Sequence, residues 1–247
     1  MTWSRIYAAA LLGPLAEQLV DAAGILPGMR VLDVFGGAGV LSRRLATVLG
    51  PNGSLVALEE GSAEPLNGGG DAARMLEDEL RSARVRAQVT SAPSHQLPFG
   101  DGEFDVAVSL LRVTAVVGGT PALAEMQRVA HQAAAIVAGE RCPAPEDLLA
   151  RAWTDVTGDA PAHLRMTDPV ELPPRWTATP LADVARFDSA EQLWTALEQF
   201  PLTTPDGASA TVRRRFSTLL APFEGADGTL RIPVEMRLLR TPPSSNR

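Results

Sequence analysis

The chain contains no lysine: every one of its 22 basic residues is an arginine. With abundant alanine, 21 glycines and 20 prolines, this is the compositional mark of a GC-rich genome rather than a functional device. Cysteine is almost as scarce. Cys142 stands alone, which excludes an intramolecular disulfide and points to a reducing cytoplasm. Positive charge is also short: the formal net charge is −7, and the densest basic stretch is Arg213, Arg214 and Arg215. A nucleic-acid partner needs a cationic face and is not expected. Long hydrophobic runs are missing too, since none approaches the ~18 apolar residues of a membrane span. Ile6 to Leu15 is apolar, but Pro14 interrupts it, Glu17 follows, and only Arg5 precedes it. That pattern is an amphipathic helix, not a signal peptide. The three histidines and one cysteine are not grouped at ligand spacing, so no metal is expected. The 247 residues suffice for one α/β domain with a substantial core and are too few for two of full size.

What is present centres on Val31 to Ala46, VLDVFGGAGVLSRRLA. Val31 to Phe35 is a short apolar run with one acid, the pattern of a buried strand. Gly36, Gly37 and Gly39 form a turn whose backbone can approach a ligand closely. From Val40, apolar residues recur at helical spacing, with Arg43 and Arg44 on the other side. Strand, glycine turn and helix open a nucleotide-binding α/β sheet, with ligand at the carboxyl end of the strand. A second strand, Ser54 to Leu58, ends in Glu59, where an acid can take both hydroxyls of a ribose. Two readings fit so far, a dinucleotide dehydrogenase and an S-adenosylmethionine enzyme. In the dinucleotide fingerprint Ser42 falls at the third glycine and is small enough to be tolerated, so the turn does not separate them.

The rest of the chain continues the alternation. Residues Ser4 to Ala23 form an N-terminal helix bent at Gly13-Pro14, within a helical cap over 1–28. A helix is predicted from Asp71 to Ala83 after a glycine-rich loop, and strands over Val85 to Thr90, Phe104 to Leu110 and Ala133 to Ala138. Between the last two, a helix starts at Thr120-Pro121 with Pro in its first position. From Gly139 to Thr179 regularity fades and proline recurs, which reads as an insertion lying over the sheet as a lid. Leu181 to Phe187 is a strand, Ser189 to Phe200 a capped helix, Thr211 to Phe223 another, and Leu230 to Leu239 a strand at or near a sheet edge. Residues 241–247 are a disordered tail.

Four stretches together resemble the class I S-adenosylmethionine-dependent methyltransferases, in the small-molecule branch similar to the ubiquinone and menaquinone biosynthesis enzymes. They are VLDVFGGAGVLSRRLA, LVALEEGSAEPL, LPFGDGEFDVAVS (Leu97 to Ser109) and EMQRV (Glu125 to Val129). The third is the most specific and has no role in dehydrogenases, so it decides between the two readings. The resemblance covers Tyr7 to Arg240. It implies a three-layer Rossmann-like α/β sheet of order 3-2-1-4-5-7-6, strand seven antiparallel, within one domain over 1–240. It also implies S-adenosyl-L-methionine as cofactor. Carried over by position, Asp33, Gly37 and Gly39 surround its methionine part, with Phe35 in the same turn, and Glu59, with Glu60 next to it, takes the ribose. Pro93, Ser94 and His95 line the adenine, and Ser109 and Leu110 lie under the sulfonium side. Apart from the resemblance, Trp3 and Tyr7 lie one turn apart on the N-terminal helix and either staple it onto the sheet or, for Tyr7, close over the ligand. Phe35 departs from the family's first glycine, as a side chain that either crowds the cofactor or points into the core. Pro93 departs from an aspartate that holds the adenine amino group, and His131 to Ala134 replace the turn before strand five.

Methyl transfer needs a general base only when the acceptor must lose a proton. His163, in the predicted lid, and His95 are the candidates, each with a structural reading beside the catalytic one, and His131 reads as a solvated turn residue. The function implied is methyl transfer to a small molecule in bacterial secondary metabolism. The alternative is a methyltransferase-fold cyclase or pericyclic catalyst, and a regulatory module without cofactor is a third reading. The expected partner is a small-molecule substrate, with a homodimer open as an assembly and no nucleic acid or membrane.

Overall fold

The structure, a computed structural model, describes residues 6, 8–36, 39–60, 76–80, 85–93, 95–111, 113, 119–139, 145–159, 170–197 and 209–243. Tyr7, Gly37, Ser94 and His163 lie outside the described residues, and Glu60 is described by its backbone.

Seven strands form one sheet: β1 Arg30–Val34, β2 Ser54–Glu60, β3 Arg86–Ala92, β4 Phe104–Leu110, β5 Ala130–Ala138, β6 Thr177–Phe187 and β7 Leu230–Arg240. Their order is β3-β2-β1-β4-β5-β7-β6. The first five run parallel, with Leu32 beside both Val56 and Ala107, and Ala107 beside Ala133. Strand β7 is antiparallel. The Thr241 N–H donates to the Ala133 carbonyl and the Gly139 N–H to that of Glu235, so one chain climbs as the other descends; Thr241, expected in a disordered tail, is instead buried and bonded to β5. The helices whose bounds are described are α1 Gly13–Ala22, α2 Val40–Leu49, α3 Gly119–Val129, α4 Pro145–Thr157, α5 Ala190–Leu197 and α6 Ser209–Leu220, and residues 76–80 are helical as well. No helix among the described residues is long and apolar enough to cross a membrane.

The chain divides into two compact units. One holds residues 13–137, 169–179 and 237–247, and therefore strands β1 to β5. One face of its sheet presents Leu32, Val34, Leu58, Ala107, Ala133 and Val137, covered by Leu123, Met126 and Val129 of α3 and by Trp176. Each fully buried Leu or Val of this kind contributes about 1.5–3 kcal/mol. The inward stripe of α2 is Leu41, Ser42, Leu45, Ala46 and Leu49. Gly39, left-handed at φ 73°, is the N-cap of α2, and its carbonyl accepts the first helical bond from the Arg43 N–H.

Two arginines hold the LPFGDGEFD stretch: Arg30 of β1 pairs with Glu103 and lies over the Phe104 ring, and Arg128 fastens the first half. Arg128, on α3, uses all five of its N–H donors. Nε and Nη2 grip both oxygens of Glu125 at 2.7 Å. Nη1 reaches the Phe99 carbonyl and Asp101 at 2.8 Å, and Nη2 the Leu97 carbonyl at 3.0 Å. Glu125 in turn accepts from the Leu97 N–H at 2.8 Å. This clamp explains why LPFGDGEFD and EMQRV occur together: one is the loop entering β4 and the other is its anchor.

The other unit holds residues 1–12, 138–168 and 180–236. Helices α4 and α6 pack together in it, with Asp155 bonded to Arg215 at 2.7 Å. Trp194 of α5 stacks at a tilt on Phe216 of α6, centroids 5.9 Å apart. Ser189 caps α5 as predicted: its Oγ accepts from the Gln192 N–H at 3.1 Å, and the Gln192 side chain accepts from the Asp188 N–H at 3.0 Å.

Several boundaries differ from the sequence expectation. Strand β5 starts at Ala130, so His131 to Ala134 are strand and not a turn. Helix α3 starts at Gly119, which makes Pro121 its third residue rather than its first. Residues 8–12 are π-helical before α1, a change of winding where a bend at Gly13-Pro14 was expected. The stretch 139–179 is not irregular throughout. Pro145 opens α4, Glu146 and Asp147 occupy its first turn, and Leu148, Leu149, Ala152 and Trp153 form its buried stripe. A proline at the first helical position starts a helix, and reading it as a breaker hid that periodicity. Strand β6 likewise begins at Thr177, four residues before the expected start.

Candidate functional site

Acidic groups gather at the carboxyl ends of β1 and β2, inside the unit that holds the parallel strands. Asp33 lies in register with Ala57, two residues before Glu59, so period-two alternation sends Asp33 and Glu59 to the same face of the sheet. That face is the one α2 covers. Asp33 is completely buried, and its Oδ2 accepts a 2.5 Å hydrogen bond from Ser42 Oγ, itself completely buried. Asp33 Oδ1 has no hydrogen-bond partner among the described residues. Burial pushes the Asp33 carboxyl up to about 7; the Ser42 bond opposes the shift and the neighbouring Glu59 adds to it.

The glycine turn brings these groups together. A Cβ placed on Gly36 would stand 3.1 Å from Ser42 Oγ and 3.5 Å from both Asp33 Oδ2 and Glu59 Oε1. With glycine at 36, three oxygens from three elements surround a point that carries no side chain. At Gly39 a Cβ would meet the Leu76 side chain at 2.4 Å, and the positive φ independently requires glycine.

Phe35 keeps the left-handed backbone of a glycine, at φ 70°. Both its N–H and that of Gly36 donate to the Leu58 carbonyl, at 2.9 and 3.1 Å. Its side chain is buried in the apolar cluster with Val34, Leu58 and Leu97, so of the two expectations it takes the core. A strained backbone of this kind costs about 1–3 kcal/mol, and burying a phenylalanine contributes about 1.5–3 kcal/mol. The two roughly offset, which lets Phe stand where strain alone would call for Gly.

Other predicted site residues fall elsewhere. Ser109 is fully buried and its Oγ lacks a partner, but Asp33 pairs with Val108, so Ser109 points to the opposite face. Leu110 is buried beside it. Pro93 follows β3, and its carbonyl accepts from the Gln96 N–H at 3.1 Å, closing the turn that carries His95. His95 is exposed. His131 lies at the amino end of β5, where its ring would meet a Cβ on Gly102 at 3.0 Å, so it belongs to the other end of the sheet. Trp176, which lies within the stretch read as a lid, is buried in the core cluster. Trp153 is buried on α4.

Ser42 is the residue that sequence reading missed. Its signal was available: an aspartate inside an apolar strand needs a buried donor, and Ser42 is the only polar residue in the stripe Leu41, Leu45, Ala46 and Leu49.

These residues suit a ligand that offers hydroxyl donors and positive charge. Two carboxylates meeting at one point oppose the diphosphate of a dinucleotide and favour a cation.

No family model matches the chain. It is 28% identical over 167 residues to the ubiquinone/menaquinone biosynthesis C-methyltransferase of Ectopseudomonas mendocina, covering 63% of each chain. To the enzyme of that name from Cellvibrio japonicus it is 26% identical over 185 residues, covering 70% of this chain and 72% of that one. The chain thus spans just under two thirds of the first relative's length. Among solved structures, a provisionally named methyltransferase from an antibiotic biosynthesis pathway of Anabaena variabilis superposes with a TM-score of 0.57 at 14% identity, covering 95% and 99% of the two chains. The [4+2]-cyclase SpnF does so with a TM-score of 0.53 at 15% identity, covering 94% and 81%. The fold is the Rossmann-like methyltransferase fold, strand seven antiparallel.

Proposed function

We propose that this chain, a relative of the class I S-adenosylmethionine-dependent methyltransferases, binds S-adenosyl-L-methionine at the carboxyl ends of β1 and β2 and transfers its methyl group to a small-molecule acceptor of bacterial secondary metabolism. The observation that carries this reading is the meeting of Asp33, Ser42 and Glu59 around Gly36. Glu59 supplies acceptors for ribose hydroxyls. The idle oxygen of Asp33 suits a cationic group, and Gly36 leaves room for ligand to approach the backbone. When bound, the cofactor supplies an electrophilic methyl on a sulfonium. What the chain must add is orientation of an acceptor at near-contact distance and exclusion of water. Pro93 offers no side-chain acceptor for an adenine amino group, so that contact is either lost or taken over by Ser94. A cytoplasmic location fits the single cysteine, and His163 is carried as the base candidate should the acceptor need to lose a proton.

A second reading keeps the cofactor and replaces methyl transfer by cyclisation. Among the described residues no histidine stands at the Asp33–Glu59 site: His95 is exposed beyond β3 and His131 is at the opposite end of β5. A reaction without proton abstraction has no need of one. Product mass separates the readings. Acceptors incubated with protein and cofactor gain one methylene unit under the first reading and are isomerised under the second. Calorimetry that detects no S-adenosylmethionine binding would overturn both.

A further inference from the structure

Asp33 is a buried titratable group with one oxygen engaged and the other idle. It is 0% exposed, Ser42 Oγ holds Oδ2 at 2.5 Å, and Oδ1 has no partner among the described residues. Ser42 is equally buried, locked into the inward stripe of α2 with Leu45, Ala46 and Leu49. A hydroxyl so placed cannot swing away to another acceptor without leaving Asp33 unsatisfied in an apolar surrounding, at a cost that keeps it where it is. The ionisable group facing Asp33 from β2 is Glu59. On α2, Arg43 approaches the Gly39 end of the turn, where it is tied to Glu79 at 2.8 Å. Among the described residues no positively charged side chain faces the Asp33 carboxyl.

We propose that Ser42 is a positioning residue for the cationic end of the ligand: it fixes one oxygen of Asp33, turns the other to a positively charged group, and couples that group's arrival to loss of the Asp33 proton. The proposal rests on the cofactor reading above and deepens it. In the free protein the carboxyl holds its proton near neutrality, because burial and Glu59 both disfavour a second negative charge. An arriving ammonium or sulfonium cancels that penalty, the proton passes to solvent, and the carboxylate keeps both the Ser42 bond and the ligand charge. Binding is then tightest where the proton is already gone. Below the midpoint, affinity should fall about tenfold per pH unit for one coupled proton. Loss of the Ser42 hydroxyl removes a contact that favours the ionised form, so the midpoint must move to higher pH.

The test is calorimetric titration of the intact chain with S-adenosylmethionine from about pH 5.5 to about pH 8.5, in two buffers of different ionisation enthalpy. Adenosine, which lacks the charged tail, serves as the comparison ligand. In parallel, the carboxyl carbon of Asp33 is followed by NMR in the free protein, assigned with Asp33→Asn. The expected result is release of close to one proton on the acid side for S-adenosylmethionine and none for adenosine. Ser42→Ala should shift both the binding midpoint and the free-protein titration upward, and Ser42→Thr should restore them. Melting temperatures of both variants show whether the fold is intact. Binding with a flat pH profile would overturn the proposal alone, as would equal proton release by adenosine or an Asp33 titration unmoved in Ser42→Ala. Absence of binding at every pH would overturn the cofactor reading and this one together.

Discussion

Asp33 and Glu59 crowd one point: a methyl group placed on Gly36 would lie 3.5 Å from a carboxylate oxygen of each. Two acids brought so near in a folded protein repel each other, and Asp33 bears the consequence because it is the more deeply buried of the pair. An arrangement that works against the free protein can favour a bound cation, and this relationship underlies the first two predictions.

Gly36→Val should close the space between the acids. The branched side chain would meet Ser42 Oγ near 3.1 Å and project past both carboxylates. S-adenosylmethionine affinity is expected to fall at least tenfold, about 1.4 kcal/mol, with the circular dichroism spectrum unchanged. Glu59→Ala should weaken binding by a similar or larger factor, since hydrogen bonds to a charged acceptor are worth roughly 1.5–3 kcal/mol each. The same change at Glu60, one position along the strand, should cost much less. Equal losses at 59 and 60 would show that the wrong acid has been assigned to the ribose.

Asp33 also makes stability depend on pH. Its carboxyl is held up at about 7, against an ordinary value of 3.8. Between those values the folded chain keeps a proton that the unfolded chain gives up. The contribution is therefore complete below the unfolded value and is lost as pH rises through about 7. At 1.36 kcal/mol per unit the loss reaches roughly 4 kcal/mol. Asp33→Asn stays neutral throughout and still accepts from Ser42. Urea denaturation at about pH 5 and about pH 8 should show a smaller drop for the variant, which should be the more stable protein at the higher pH. Parallel pH slopes for the two proteins would rule out Asp33 as the titrating group.

Trp176 is a core residue, and its substitution should be read as such. It is 6% exposed among Leu239, Val137 and the α3 side chains. Trp176→Ala should cost about 3–5 kcal/mol and lower Tm by roughly 6–20 °C. Because the indole Nε1 has no hydrogen-bond partner, Trp176→Phe forfeits no bond and should lose less than half as much. An unchanged Tm in Trp176→Ala, with turnover impaired, would return this residue to the lid.

The Arg128 clamp should be irreplaceable by lysine. Lysine offers three donors from one point and cannot span Glu125, Asp101 and the carbonyls of Leu97 and Phe99. Arg128→Lys should destabilise by roughly 2 kcal/mol, a discounted figure because the side chain is one third exposed. Hydrogen exchange of the Leu97 amide, which Glu125 holds at 2.8 Å, should accelerate more than that of amides inside β4. Uniform acceleration across the sheet would mean a global effect instead.

The sequence by itself determined the strand, turn and helix around the glycines, the acids Asp33 and Glu59, and, through the LPFGDGEFDVAVS resemblance, the strand order. These are local signals: alternation, backbone freedom and helical spacing are written within a few consecutive residues. Helix α4 was also written there, in a proline at the first helical position followed by two acids, but the neighbouring prolines masked it. Only the tertiary structure decided the contacts. Asp33 is satisfied by Ser42, the ring of Phe35 turns into the core, and Trp176 belongs to the sheet's core cluster. Ser109 faces away from Asp33 because parallel register sets it one residue past Val108. Each of these depends on which positions meet across different elements. A one-residue change of register would leave every local pattern intact while moving every side chain to the other face, which is why the meeting point at Gly36 is a property of the fold and not of the string.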